Sequence, residues 1–183
     1  MNRKSYRFFV ITGGPGVGKT TLLEALKEQG YKCVPEVARE IIREQMESDG
    51  DALPWKNKEW YATLMLERSV RSYLETEAGV AGNEPVFFDR GIPDTLCYAG
   101  MIGMKFPKKV MRDISKYIYC PEVFLLPPWE EIYHTDGERK QDWEEAVLTY
   151  KNMRETYLNY GYRILEVPKV NTEKRVEFVL GYI

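Results

Sequence analysis

Apolar residues along this chain come in two rhythms. Short runs at Tyr6–Thr12, Tyr31–Pro35, Pro85–Asp89, Glu122–Leu126 and Tyr162–Val167 predict five strands. Several are apolar at successive positions, as strands covered on both faces are. Between them, apolar positions recur at three- and four-residue spacing. Leu22, Leu23 and Leu26 predict a helix that stops at Gly30, a residue suited to the left-handed turn after a helix. Val37, Ile41 and Ile42 predict a helix over Glu36–Ser48; Leu66, Val70, Tyr73 and Leu74 predict a longer one over Trp55–Ala78. Trp143, Ala146, Val147, Tyr150, Met153 and Tyr157 form a stripe over Asp142–Tyr160, closed by Gly161, that reads as core packing. Shorter helices are expected at Asp94–Met101 and Pro107–Tyr117, and a last one at Thr172–Leu180. Ser48–Asp51 reads as an exposed loop.

Strand and helix therefore alternate. That order predicts a doubly wound, mainly parallel five-stranded sheet in a three-layer α/β/α arrangement, in a single domain over residues 1–183. In such sheets ligands bind beyond the carboxyl ends of the strands, so residues just after each strand are the candidates for chemistry.

The first strand runs into Gly13-Gly14-Pro15-Gly16-Val17-Gly18-Lys19-Thr20, a full match to the phosphate-loop pattern G-x-x-x-x-G-K-[S/T]. Its glycines let successive N–H groups turn into one concavity, and the helix that opens at Lys19 adds its positive dipole end. Lys19 would meet the β and γ phosphates, Thr20 would ligate Mg²⁺, and Thr21 continues the cradle. Strand, loop and helix agree, so a nucleoside triphosphate is the expected ligand.

Asp89 ends the third strand after three apolar residues, where a carboxylate would bond Thr20 or a water on Mg²⁺; its plainer reading is a turn cap. Arg90 follows where hydrolytic ATPases place a second acid. It would grip an anionic or hydroxyl-bearing second substrate, or form a structural ion pair. Glu36, after the second strand, would take a proton from a substrate hydroxyl or hold the substrate, with Arg39 one turn on; the alternative is an acidic first-turn residue favoured by the helix dipole. The polar stretch over residues 127–141 reads as a lid, in which Arg139 or Lys140 would neutralise developing charge, or as an ordinary charged helix start. His134, the only histidine, has no second ligand at metal spacing.

Composition narrows the partners. A charge sum of 26 minus 28, or −2, argues against a general nucleic-acid binder. Cys33, Cys97 and Cys120 are too scattered for a disulfide frame or metal knuckle, which fits reduced thiols. No signal-peptide core and no run near the ~20 apolar residues of a membrane span is present. The expectation is a cytoplasmic monomer or homodimer.

Taken with the phosphate loop, the segments Pro35-Glu36-Val37-Ala38-Arg39, Phe88-Asp89-Arg90-Gly91-Ile92-Pro93-Asp94, Leu125-Leu126-Pro127-Pro128-Trp129 and Asp136-Gly137-Glu138-Arg139 carry a resemblance over nearly the whole chain. The sequence resembles the AAA-type P-loop ATPase/kinase family of the NadR kinase domain and the TRPL translocation defect protein. The resemblance implies a nucleotide-kinase-like P-loop NTPase fold and Mg²⁺–ATP binding through Gly13–Thr20. It places Asp89-Arg90 where such kinases keep an Asp-Arg pair, and leaves the acceptor open.

The function expected is transfer of the ATP γ-phosphoryl group to a small nucleoside- or nucleotide-like acceptor, with Lys19, Glu36, Arg90 and Arg139 as catalytic residues. The alternative is a nucleotide-dependent binding switch or slow NTPase acting through a protein or lipid partner. No N-K-x-D motif supports a GTPase, since Asn57-Lys58-Glu59-Trp60 ends in tryptophan, and no L-S-G-G-Q loop supports an ABC subunit. A ring-forming remodelling ATPase is disfavoured by the missing second acid after Asp89.

Overall fold

Phe8, Phe9, Val10 and Ile11 are all buried, yet successive side chains serve two different cores. They form β1 (Phe8–Gly13), the middle of a parallel sheet in the order β2-β3-β1-β4-β5, with β2 Lys32–Val34, β3 Val86–Asp89, β4 Glu122–Leu126 and β5 Arg163–Glu166. The computed structural model describes residues 7–80, 82–132 and 143–183. Side chains alternate across a strand, so Phe8 and Val10 point to one face and Phe9 and Ile11 to the other.

Helices cover both faces. On one side α1 (Lys19–Glu28) and α7 (Thr172–Leu180) enclose Phe9, Ile11, Leu22, Leu26, Phe87, Phe124 and Val179. On the other, α3 (Lys58–Gly79), α4 (Ile92–Met101), α5 (Lys108–Ile114) and α6 (Trp143–Asn159) enclose Phe8, Val10, Leu66, Tyr73, Phe88 and Tyr157. A smaller apolar group (Ile41, Tyr61 and Met65) joins α2 (Val37–Glu47) to α3. This is the three-layer α/β/α arrangement expected. Both faces being covered explains why β1, β3 and β4 lack polar alternation.

Local signals explain most boundaries. Gly30 takes φ 90°, and the Gly30 and Tyr31 N–H groups bond the Lys27 and Leu26 carbonyls, closing α1. Asn57 caps α3, its side chain accepting from Trp60 N at 2.9 Å, so the would-be guanine motif is a helix start.

Several expectations shift: α3 starts at Lys58 and not Trp55, after the Asn57 cap, and α5 ends at Ile114 and not Tyr117. β1 extends to Gly13, which pairs with Leu126 of β4. α4 begins at Ile92, two residues early, because Pro93 sits in the first turn, where its missing N–H costs nothing. Leu74, expected in the core stripe of α3, is 43% exposed. Among the described residues, no helix is long and apolar enough to cross a membrane.

Candidate nucleotide and acceptor site

The parallel register sets Asp89 beside Ile11 and Phe88 beside Val34. The carboxyl ends of β1, β3 and β2 therefore open side by side, and the loops leaving them hold the candidate residues. Between β1 and α1 the phosphate loop bends through Gly16 (φ 72°) and Gly18 (φ 83°), left-handed angles that side-chain-bearing residues adopt only with strain. Thr20 and Thr21 are exposed.

Lys19 opens α1 and is buried, its Nζ 3.8 Å from Asp89 Oδ1. Burial lowers its pKa and the nearby Arg90 adds to this, against the pull of Asp89 and Glu36. Asp89 is pushed the other way: burial raises its pKa despite Lys19. An anion brought to the loop would relieve the strain on this lysine.

Glu36, the residue before α2, lies between two arginines. Its Oε1 accepts from Arg90 Nε at 2.6 Å and its Oε2 is 3.5 Å from Arg39 Nε. Burial works against its charge, but Arg90, Lys19 and Arg39 outweigh it and hold the carboxyl down at about 2. Such a carboxylate accepts hydrogen bonds well and takes a proton poorly near neutral pH. Burial, followed by Glu36, raises the pKa of Tyr61, which packs edge-on to Tyr98 at 5.4 Å and makes an aromatic wall near Glu36.

Arg90 is paired as well as placed. Besides Glu36 it reaches Asp94 Oδ1 at 3.3 Å, and its backbone takes φ 72°. The ion-pair reading of this residue is therefore the one the geometry displays. Tyr133 to Asp142 lie outside the described residues, and with them His134, Arg139, Lys140 and most of the proposed lid.

Two neighbours of these residues were given no role in the sequence reading. Asp94 is buried and collects bonds from Thr12, Tyr157, Arg90 and the Gly91 N–H. Arg175, on α7, donates from Nη1 to the Val17 carbonyl of the phosphate loop at 3.0 Å and from Nε to the Pro168 carbonyl at 3.1 Å. Its guanidinium lies 4.7 Å from the centre of the Trp129 ring. The one hint was that Arg175 shares the buried stripe of α7 with Val176 and Val179. A side chain at Gly18 would press within 2.9 Å of Arg175 Nη1, so the loop glycine also makes room for this arginine.

The residues present fit Mg²⁺. Asp89 Oδ1 is buried without a hydrogen-bond partner among the described residues, beside an exposed Thr20. Among those residues no group of three or more acidic, histidine or cysteine ligands forms a cage. One carboxylate, one hydroxyl and phosphate oxygens are the donors magnesium usually takes.

An apolar cavity of about 340 Å³ beside α4 and α5, walled by Leu96, Met111 and Tyr117 among others, contains none of these residues.

A family model described as an AAA domain matches residues 8–175. The chain belongs to this AAA-domain family. A search of curated proteins finds no match. Among solved structures, the AAA-domain chain is similar to NadR protein in complex with NR, at TM-score 0.72 and 16% identity over 97% of this chain and 51% of that one. It is also similar to deoxyadenosine kinase from M. mycoides with bound dATP, at TM-score 0.61 and 17% identity over 97% and 98% of the two chains. This AAA-domain chain therefore has a P-loop nucleotide-kinase-like fold, and it spans about half the length of NadR.

Proposed function

We propose that this protein is a small-molecule kinase that moves the γ-phosphoryl group of Mg-ATP to a nucleoside- or nucleotide-like hydroxyl or phosphate. It acts as a single P-loop NTPase domain with a lid over residues 127–141. The observation that carries the reading is the pairing of Arg90 with Glu36 at 2.6 Å, set against Asp89 and Lys19 at the mouth of the phosphate loop. That arrangement offers an acceptor subsite facing the phosphates. The similar structures were determined with NR and with dATP, which supports the acceptor class.

Gly13–Thr21 hold the phosphates, with Lys19 supplying charge. Thr20 and Asp89 would hold Mg²⁺, which supplies charge neutralisation at the phosphates. Arg90 and Arg39 bind the acceptor, and Glu36 accepts its hydroxyl hydrogen bond. The acceptor oxygen bonds to the γ-phosphorus as the bond to the β,γ-bridging oxygen breaks, and ADP leaves with that electron pair. The hydroxyl proton passes to the transferred phosphoryl oxygens. A loose transition state asks little of a base, so a strongly ionised Glu36 suits orientation better than deprotonation. Arg139 would approach the phosphates from the lid.

The test is ADP formation with Mg²⁺, alone and against a panel of nucleosides, nucleotides and ribosides, with labelled product followed separately. Label appearing in one acceptor is the expected result. In the same assay, Glu36→Gln lowers transfer by about a hundredfold while ATP affinity stays within about threefold. Tight ATP binding without product from any acceptor would overturn the kinase and point to a nucleotide-dependent switch.

A further inference from the structure

We propose that Asp94 is a positioning residue: it fixes the guanidinium of Arg90 so that one edge holds Glu36 while the other faces the acceptor. Its use in transfer rests on the kinase reading above; the positioning itself stands on the geometry of the protein alone.

Asp94 is 7% exposed and sits in the first turn of α4. Its Oδ2 accepts from the Gly91 N–H at 2.8 Å, the carboxylate half of a capping box. A cap would need nothing more. Yet Oδ2 also accepts from the Tyr157 hydroxyl of α6, and Oδ1 accepts from the Thr12 hydroxyl of β1 and from Arg90 Nη1 at 3.3 Å. One carboxylate thus ties β1, α4 and α6 to a single arginine.

Arg90 needs that tie. Its left-handed backbone is strained for a residue with a side chain, and persists only where the surroundings over-determine it. The Arg90 N–H bonds the Ile11 carbonyl at 3.0 Å, and Asp94 grips the next peptide and the side chain together. Without Asp94, Nη1 would keep only the Met153 sulfur at 3.9 Å, a weak acceptor. Nε is taken by Glu36, and among the described residues Nη2 has no partner. Among the described residues the guanidinium is therefore anchored on two of its three nitrogens, and Nη2 is the one that would meet the acceptor.

The amide of Asp94→Asn can still accept from Gly91 N–H and preserve the helix start, but it loses the charge facing Arg90. The measurement is solvent exchange of arginine Nε–Hε signals by ¹H–¹⁵N spectroscopy on the full chain without ligand, with the Arg90 signal identified by its loss in Arg90→Lys. Wild-type protein should show a slowly exchanging Arg90 signal. Asp94→Asn should speed its exchange at least tenfold, and Tyr157→Phe, which removes another donor from the same carboxylate, should leave it within twofold. Asp94→Glu keeps the charge but displaces it, and gives the same test where the amide variant does not fold. Exchange within twofold of wild type in both Asp94 variants, or equal acceleration in Tyr157→Phe, overturns the proposal.

A kinetic arm uses Mg-ATP with deoxyadenosine as the probe, and the panel acceptor with the highest turnover if deoxyadenosine is inert. Asp94→Asn should lower kcat/KM for the acceptor at least tenfold with ATP Kd within twofold; unchanged kcat/KM overturns the proposal. Wild-type protein inert with every acceptor would remove the kinase reading, while the exchange measurement would still decide what Asp94 does.

Discussion

With Lys19 replaced by alanine, ATP affinity falls by at least about a hundredfold, a loss of roughly 3 kcal/mol or more, as for truncating one member of a buried charge pair. The ammonium is buried 3.8 Å from Asp89, and burial already presses its pKa down. Phosphate oxygens would add negative charge beside it, further offsetting the burial. Titration calorimetry with Mg-ATP reads the loss directly. The fold should survive, because Lys19 belongs to neither of the two cores that hold the sheet to its helices. Near-UV circular dichroism checks that point, and wild-type affinity in a folded Lys19→Ala protein would remove the phosphate-loop assignment.

Arg90→Ala should cost stability as well as activity. It leaves Glu36 and Asp94 buried without the cation between them, a loss of roughly 3–5 kcal/mol for breaking a buried pair. At roughly 2–4 °C per kcal/mol for a domain of this size, Tm falls by about 6–20 °C. The sign of the pH dependence follows from Glu36. Its carboxyl sits at about 2 in the folded protein against an ordinary 4.5, so it stabilises the fold above 4.5 and loses that contribution as pH falls toward 2. Burial opposes that depression, and Arg90 is the largest cause favouring it. The gap between variant and wild type should therefore be widest near neutral pH and close on acidification, as urea unfolding at the two extremes would show. A gap that stays constant with pH would mean that the lost stability is packing, not charge.

What was legible in the sequence was what is contiguous. The phosphate loop is eight successive residues between a strand and a helix, and its chemistry depends on local backbone shape. The strands of the middle sheet were legible because burial on both faces leaves uninterrupted apolar runs. Boundaries blurred where two local signals competed, as at Ile92-Pro93, where proline reads as loop but suits a first helical turn. Leu74 was misplaced because α3 is long and its apolar stripe does not stay against one neighbour.

The site's supports were hidden for a different reason. Thr12 and Asp94 are 82 positions apart, and Val17 and Arg175 are 158 apart. No spacing rule reaches that far. Arg90 was legible as a residue of interest, but whether it gripped a substrate or a carboxylate depended on where Glu36 and Asp94 fell in three dimensions.

The bond between Arg175 and the Val17 carbonyl also sets an order of events during synthesis. The phosphate loop is made well before the arginine that braces it, which lies 158 positions further along, on α7. The central strand likewise waits for β3 and β4, which lie far along the chain, before either of its edges is paired. A growing chain halted before α7 should fail to retain ATP even though every residue of the loop has been made.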